Sequence, residues 1–180
     1  MTHTAAARTS SKMTTRDIAL TAMSLVLVFV FTYAINIRLP IAANGGLVHL
    51  GNVPLFLAAI LFGKRTGMIA GGLGMALFDL LSGWTLWAPF TLVIVGLMGW
   101  TVGAVTEKKK TFPRYILAMV LACLIKIVGY YIAEAVIYSN WIIPVSSIPG
   151  NLVQIGVAAA LVLVVIEPLR LAAKRTGLMK

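Results

Sequence analysis

The chain has 180 residues, 60% of them hydrophobic and only 11% charged, with a net charge of +10. Soluble domains have roughly a quarter of their residues charged, so this composition excludes a soluble protein and points to an all-α integral membrane protein with no room for a separate enzyme module. One cysteine, Cys123, excludes a disulfide framework and a cysteine metal site, and basic residues confined between apolar runs, without interleaved aromatics, exclude nucleic acid as a partner.

Residues 1–15, rich in Thr, Ser and Ala, read as a disordered cytoplasmic tail. The apolar run from Ile18 to Ile37 is longer than a signal core and lacks a small-residue cleavage site, so it is expected to be an uncleaved first helix. A second run covers Leu47 to Phe62 and a third Gly67 to Leu81, separated by Gly63-Lys64-Arg65-Thr66. Both are short against the about 20 residues that a span needs. A re-entrant hairpin would bury Lys64 and Arg65 in hydrocarbon, so two short or tilted spans cost less. The fourth helix is expected from Leu86 to Val105 with Pro89 in its first turn, and the fifth from Pro113 to Tyr138. The sixth runs from Ile148 to Ala172, with Ser147 as its cap and Pro149 in its first turn. Residues 176–180 form a short cytoplasmic tail.

Basic residues cluster at Arg8, Lys12 and Arg16, at Lys64 and Arg65, at Lys108, Lys109, Lys110 and Arg114, and at Arg170, Lys174, Arg175 and Lys180. The alternate connections hold only Arg38. This is the positive-inside pattern of an even number of spans. The expected architecture is a compact bundle of six transmembrane helices over residues 16–175 with both termini cytoplasmic. Gly67, Gly71, Gly72, Gly74 and Ala76 on the third helix, and Gly99 and Gly103 on the fourth, let backbones approach closely. Thr15, Ala19 and Ala22 form a small strip on the first helix, suited to a neighbouring helix or to another subunit, with the internal contact slightly favoured.

Lys126 and Glu134 stand inside the apolar stretch of the fifth helix. A charge at the centre of a span costs roughly 2.5–3.5 kcal/mol even on lenient insertion scales, so such residues face a cavity, a partner or a ligand. At about 100° per residue, Lys126, Tyr130 and Glu134 share one face, with the two charges roughly 12 Å apart along the axis. The plainer alternative is a salt bridge that only fixes packing. The topology gathers Asn36, Arg38, His49, Asn52, Asp79, Ser82, Trp84, Trp87, Asn140, Trp141, Asn151 and Gln154 toward the same side, which suggests a pocket open to the outside more than a continuous pore. Asn151 and Gln154 share a face, and their amides suit a heteroaromatic ring or hydroxyl groups; an interhelical hydrogen bond is the alternative. Trp84 and Trp87 either stack on a ring or anchor the interface, and His49 either meets ligand or caps a helix start. No hydrolase, metal or nucleotide motif is present, so neither a cofactor nor a bound metal is expected, and ATP-driven work would need partners.

These stretches resemble the substrate-binding S components of energy-coupling factor (ECF) transporters, the vitamin uptake systems of prokaryotes. The resemblance covers nearly all of the chain after the tail. It rests on Val48-His49-Leu50-Gly51-Asn52, Leu61-Phe62-Gly63-Lys64-Arg65-Thr66-Gly67, Phe78-Asp79-Leu80-Leu81-Ser82-Gly83 and Gly96-Leu97-Met98-Gly99. Lys126 with Gly129-Tyr130 and Glu134, and Pro149-Gly150-Asn151 with Gln154, complete it. It implies a plasma-membrane receptor that takes a water-soluble vitamin from outside and associates with a transmembrane T subunit and two ATP-binding cassette ATPase subunits. It further implies ligand contacts from Lys126, Tyr130, Glu134, Asn151 and Gln154, to which Trp87 and His49 are added from their own position and chemistry, and a lid at Ile37 to Val48 made flexible by Gly45-Gly46. Many members have an Ala-xxx-Ala motif on helix one for the T subunit. Here Met23 follows Ala19 by four residues, and Thr15, Ala19 and Ala22 serve as the candidate docking strip instead. Hydroxymethylpyrimidine or pyridoxine matches the local pattern best. Pantothenate, its carboxylate met by Lys126 and Arg38, is the alternative, and riboflavin fits less well. From other classes stand a membrane enzyme using Asp79 and Glu134 as acid and base, and an assembly subunit in which Lys126 and Glu134 form a buried ion pair.

Overall fold

The computed structural model describes residues 12–38 and 47–179. Among them are six α-helices: α1 (Thr15–Ala34), α2 (Asn52–Phe62), α3 (Lys64–Leu81), α4 (Ala88–Glu107), α5 (Phe112–Tyr138) and α6 (Ile148–Arg175). Strands β1 (Asn36–Arg38) and β2 (Leu47–His49) lie between α1 and α2, and a 3-10 turn (Ile143–Ser147) leads into α6. Among the described residues four segments are long and apolar enough to cross a membrane: α1, α4, α5 and the 3-10 turn with α6. The chain is an all-α membrane protein.

Local chemistry accounts for most of the helix starts. Thr14 and Asp17 form a reciprocal capping box, with the Asp17 backbone N–H donating to Thr14 Oγ1 at 3.2 Å and the Thr14 N–H donating to Asp17 Oδ2 at 3.0 Å. Pro89, Pro113 and Pro149 all sit in first turns, where the missing N–H has no helical partner to lose. Ser139 closes α5 in the left-handed conformation.

Two elements depart from the sequence expectation. The run from Leu47 does not enter a helix at once: Leu47–His49 pairs antiparallel with Asn36–Arg38, in the register Asn36 with His49, Ile37 with Val48 and Arg38 with Leu47. Helix α2 therefore has 11 residues, about 16 Å of rise against a hydrocarbon core of roughly 30 Å. Ser147 does not cap α6 with its side chain; its hydroxyl is directed elsewhere. The proposed lid's tip, Gly45-Gly46, and most of the N-terminal tail lie outside the described residues.

The core runs through the middle of the bundle, with Leu55, Phe56, Ile60, Val95, Met98, Val102, Val162 and Ile166 among its buried residues. Helices α3 and α4 meet backbone to backbone. A Cβ built on Gly99 would stand 2.2 Å from the Gly67 carbonyl oxygen, and one on Gly103 would stand 2.3 Å from the Lys64 Cα. A Cβ on Gly74 would meet Val28 of α1, and one on Gly71 would meet Leu55 of α2. The glycine-rich face of α3 thus seats three helices. Thr21 of α1 and Thr66 of α3 add a buried hydroxyl pair at 3.0 Å, and Lys64 joins Glu107 at 2.8 Å across the α3–α4 ends. Thr15, Ala19 and Ala22 are exposed, whereas Thr21, Ser24, Val28 and Thr32 face the bundle. The internal contact slightly favoured for the Thr15 strip is not made, because α1 turns a hydroxyl-bearing face to the glycines of α3.

Gly99→Leu is expected to cost about 2 kcal/mol or more by overpacking, seen as a lower thermal midpoint of the detergent-purified protein. Gly156→Ala, where an added Cβ meets nothing within 4 Å, should leave the midpoint in place.

Candidate functional site

A small cavity of about 60 Å³ opens at the end of the bundle that bears the hairpin. All seven residues singled out for ligand binding line it: His49 on β2, Trp87 just before α4, Lys126, Tyr130 and Glu134 on α5, and Asn151 and Gln154 on α6. The shared face of Lys126, Tyr130 and Glu134 follows from helical periodicity. Asn151 and Gln154 reach the same space because α6 packs beside α5 and the hairpin.

Lys126 and Glu134 form no ion pair with each other. Lys126 is 3% exposed; its ammonium donates to Gln154 Oε1 and lies 5.5 Å from the centre of the Tyr130 ring, a cation–π arrangement. Glu134, 1% exposed, accepts from Ser147 Oγ at 2.6 Å. The serine expected to cap α6 thus holds the carboxyl group of α5 in place. Gln154 Nε2 donates to the His49 carbonyl at 3.1 Å, tying α6 to β2. Asn151, by contrast, makes no side-chain hydrogen bond among the described residues.

Sequence reasoning assigned no ligand role to Asp79, Thr91 or Leu47, yet all three line the cavity. The Thr91 hydroxyl hydrogen-bonds the Asp79 carboxylate and stands 3.0 Å from the Tyr130 hydroxyl. Asp79 Oδ2 is buried without a hydrogen-bond partner among the described residues. A carboxylate at the end of an apolar helix was the available signal for Asp79; a threonine in a membrane helix is too ordinary to give one. Trp84 lines the cavity as well. Trp87, 8% exposed, packs on Tyr138 with ring centres 6.2 Å apart and forms part of the cavity wall. Asn36 turns away, its amide donating to the Tyr33 carbonyl at 2.6 Å as part of the end of α1. Of the Arg38 side chain, the second cation expected for a pantothenate carboxylate, nothing is described.

His49 packs its ring on Phe78, centres 6.4 Å apart, and its Nδ1 accepts the Gly51 N–H at 3.3 Å. Burial, then the positive charge of Lys126, holds its pKa well below the usual 6.5.

The family described as ECF-type riboflavin transporter, S component, matches residues 12–171. The chain belongs to this family. The thiamine precursor transporter HmpT of Lactococcus lactis subsp. cremoris is 32% identical to this S component over 159 residues, 88% of this chain and 86% of that protein. An uncharacterized protein of Pyrococcus woesei is 38% identical over 102 residues, 57% of this chain and 68% of the relative. The protein is therefore a multi-pass S component of the prokaryotic plasma membrane that works with an ECF module in vitamin uptake, and not an enzyme.

Because the folded state disfavours protonated His49, the unfolded chain binds the proton first as pH falls below 6.5. The contribution of His49 to stability is expected to fall with acidification from that value toward the lower folded pKa, and to be flat above it. His49→Gln should flatten this slope, measured as thermal midpoint between pH 7.5 and pH 5.

Proposed function

We propose that this S component captures hydroxymethylpyrimidine, an aminopyrimidine, and hands it to an ATP-driven module. The observation that carries the reading is the chemistry left open in the cavity. Asp79 Oδ2 is a buried acceptor without a donor among the described residues, Lys126 keeps N–H donors beyond the one given to Gln154, and Asn151 offers both functions. An aminopyrimidine has an exocyclic amine to donate and ring nitrogens to accept, so its edge complements a carboxylate and an ammonium at once. Trp84, Trp87 and Tyr130 supply faces for a flat ring. The name of the Lactococcus lactis relative, a thiamine precursor transporter, supports the same ligand class.

Riboflavin is the second reading, favoured by the description of the matching family. Pyridoxine shares the single-ring size of the pyrimidine.

The remaining assignments belong to the same proposal. The basic residues Arg16, Lys64, Arg65, Arg114, Lys174 and Arg175 fall at the bundle end opposite the cavity, which supports six spans with that end in the cytoplasm and the cavity facing out. The ECF module supplies a T subunit and two ATPase subunits, and the exposed Thr15, Ala19 and Ala22 on α1 offer a flat strip for the T subunit.

Titration of the purified protein with hydroxymethylpyrimidine, pyridoxine and riboflavin, followed by calorimetry, tests the reading. The pyrimidine should bind tightest. Asp79→Asn and Lys126→Met should each weaken it by at least about tenfold, the effect of losing one charge-assisted hydrogen bond. Binding of riboflavin alone would overturn the proposal.

A further inference from the structure

Gln154 differs from its helical neighbour Asn151 in one respect that its sequence position does not reveal. Both line the cavity, but Gln154 is 2% exposed and both ends of its amide are committed. Its oxygen accepts from the Lys126 ammonium, and its nitrogen donates to the His49 carbonyl at 3.1 Å, 105 residues away in the chain. The two bonds polarise the amide in the same direction: donation to His49 makes the oxygen a better acceptor for the ammonium, and the ammonium makes the N–H a better donor. Among the described residues no carboxylate stands in ion-pair contact with Lys126, so the Gln154 oxygen is its hydrogen-bonded anchor. The His49 end is fixed in turn, because Nδ1 accepts the Gly51 N–H, the ring rests on Phe78, and His49 pairs with Asn36 in the hairpin.

We infer that Gln154 is a positioning residue that ties the Lys126 ammonium to strand β2, and that ligand is read by Asn151 and Lys126 beside it. The pocket floor on α5 and the wall formed by Leu47 and His49 then move as one unit. A ligand acceptor that bonds Lys126 fixes the ammonium further and, through Gln154, the strand. The tie is a property of the ligand-free chain. Its effect on ligand residence rests on the pyrimidine reading above.

Two variants separate the bonds. Gln154→Glu keeps an acceptor for Lys126 but sets a carboxylate oxygen against the His49 carbonyl; Gln154→Met removes both bonds at similar volume. Asn151→Ala is the comparison. In full-length protein in lipid nanodiscs without ligand, hydrogen–deuterium exchange over residues 47–52 should rise about tenfold in both Gln154 variants, the effect of one lost hydrogen bond. It should stay unchanged in Asn151→Ala, with α3 and α4 protected throughout. Stopped-flow tryptophan fluorescence with 4-amino-5-hydroxymethyl-2-methylpyrimidine should show a dissociation rate about tenfold faster in Gln154→Glu with the association rate unchanged. Unchanged exchange over 47–52 in the Gln154 variants overturns the inference, and weaker binding with that exchange unchanged returns Gln154 to direct ligand contact. A uniform rise across all helices overturns it too, as a purely structural role. If exchange rises locally but the wild-type protein binds no pyrimidine, the tie stands and the substrate reading falls.

Discussion

An ammonium buried among membrane helices needs compensation, and the way Lys126 obtains it organises the upper part of this molecule. Full ion pairing would have neutralised it inside the protein. Instead it is met by the oxygen of Gln154 and the face of Tyr130, both of them neutral. The carboxyl groups of Asp79 and Glu134 are left to hydroxyl partners, Thr91 and Ser147. The site therefore holds an amine and two carboxyl groups that make no direct ion-pair contact with one another among the described residues, which leaves both donors and acceptors for a ligand.

The other end of the bundle follows a different rule. Helices α3 and α4 approach so closely at Gly67, Gly99 and Gly103 that no side chain fits between them, and the same face of α3 receives α1 and α2. Packing of this kind relies on van der Waals contact, because lipid supplies no hydrophobic drive between helices. A stiff glycine-based half thus supports a polar half built from side-chain hydrogen bonds. For an S component, which must hold a ligand and also dock to a separate module, the two halves give a binding end and a rigid body to move.

Much of this was legible in the residues. Pro89, Pro113 and Pro149 marked helix starts, the clusters of Lys and Arg marked one end of the bundle, and the glycines of α3 announced a close contact. The helical spacing of Lys126, Tyr130 and Glu134 placed them on one face, and the cavity lies on that face. The failures share a cause. The β1–β2 pairing, the turn of Ser147 toward Glu134, the outward placing of Thr15, Ala19 and Ala22, and the arrival of Thr91 at the cavity all depend on contacts between residues distant in the chain. Local pattern does not encode such contacts.

By itself the sequence determined that the chain lives in a membrane, how its apolar runs divide into helices, and which polar residues are too costly to bury without purpose. Composition, periodicity and charge placement act along the chain and can be read there. Only the tertiary structure decided which polar groups satisfy each other and which remain open. Asn151 and Gln154 look equivalent as amides three residues apart, yet Gln154 bridges Lys126 and the His49 carbonyl while Asn151 faces the cavity. The physical reason is that a hydrogen bond is directional and short, so an amide's partners are set by where α5, α6 and the hairpin come to rest.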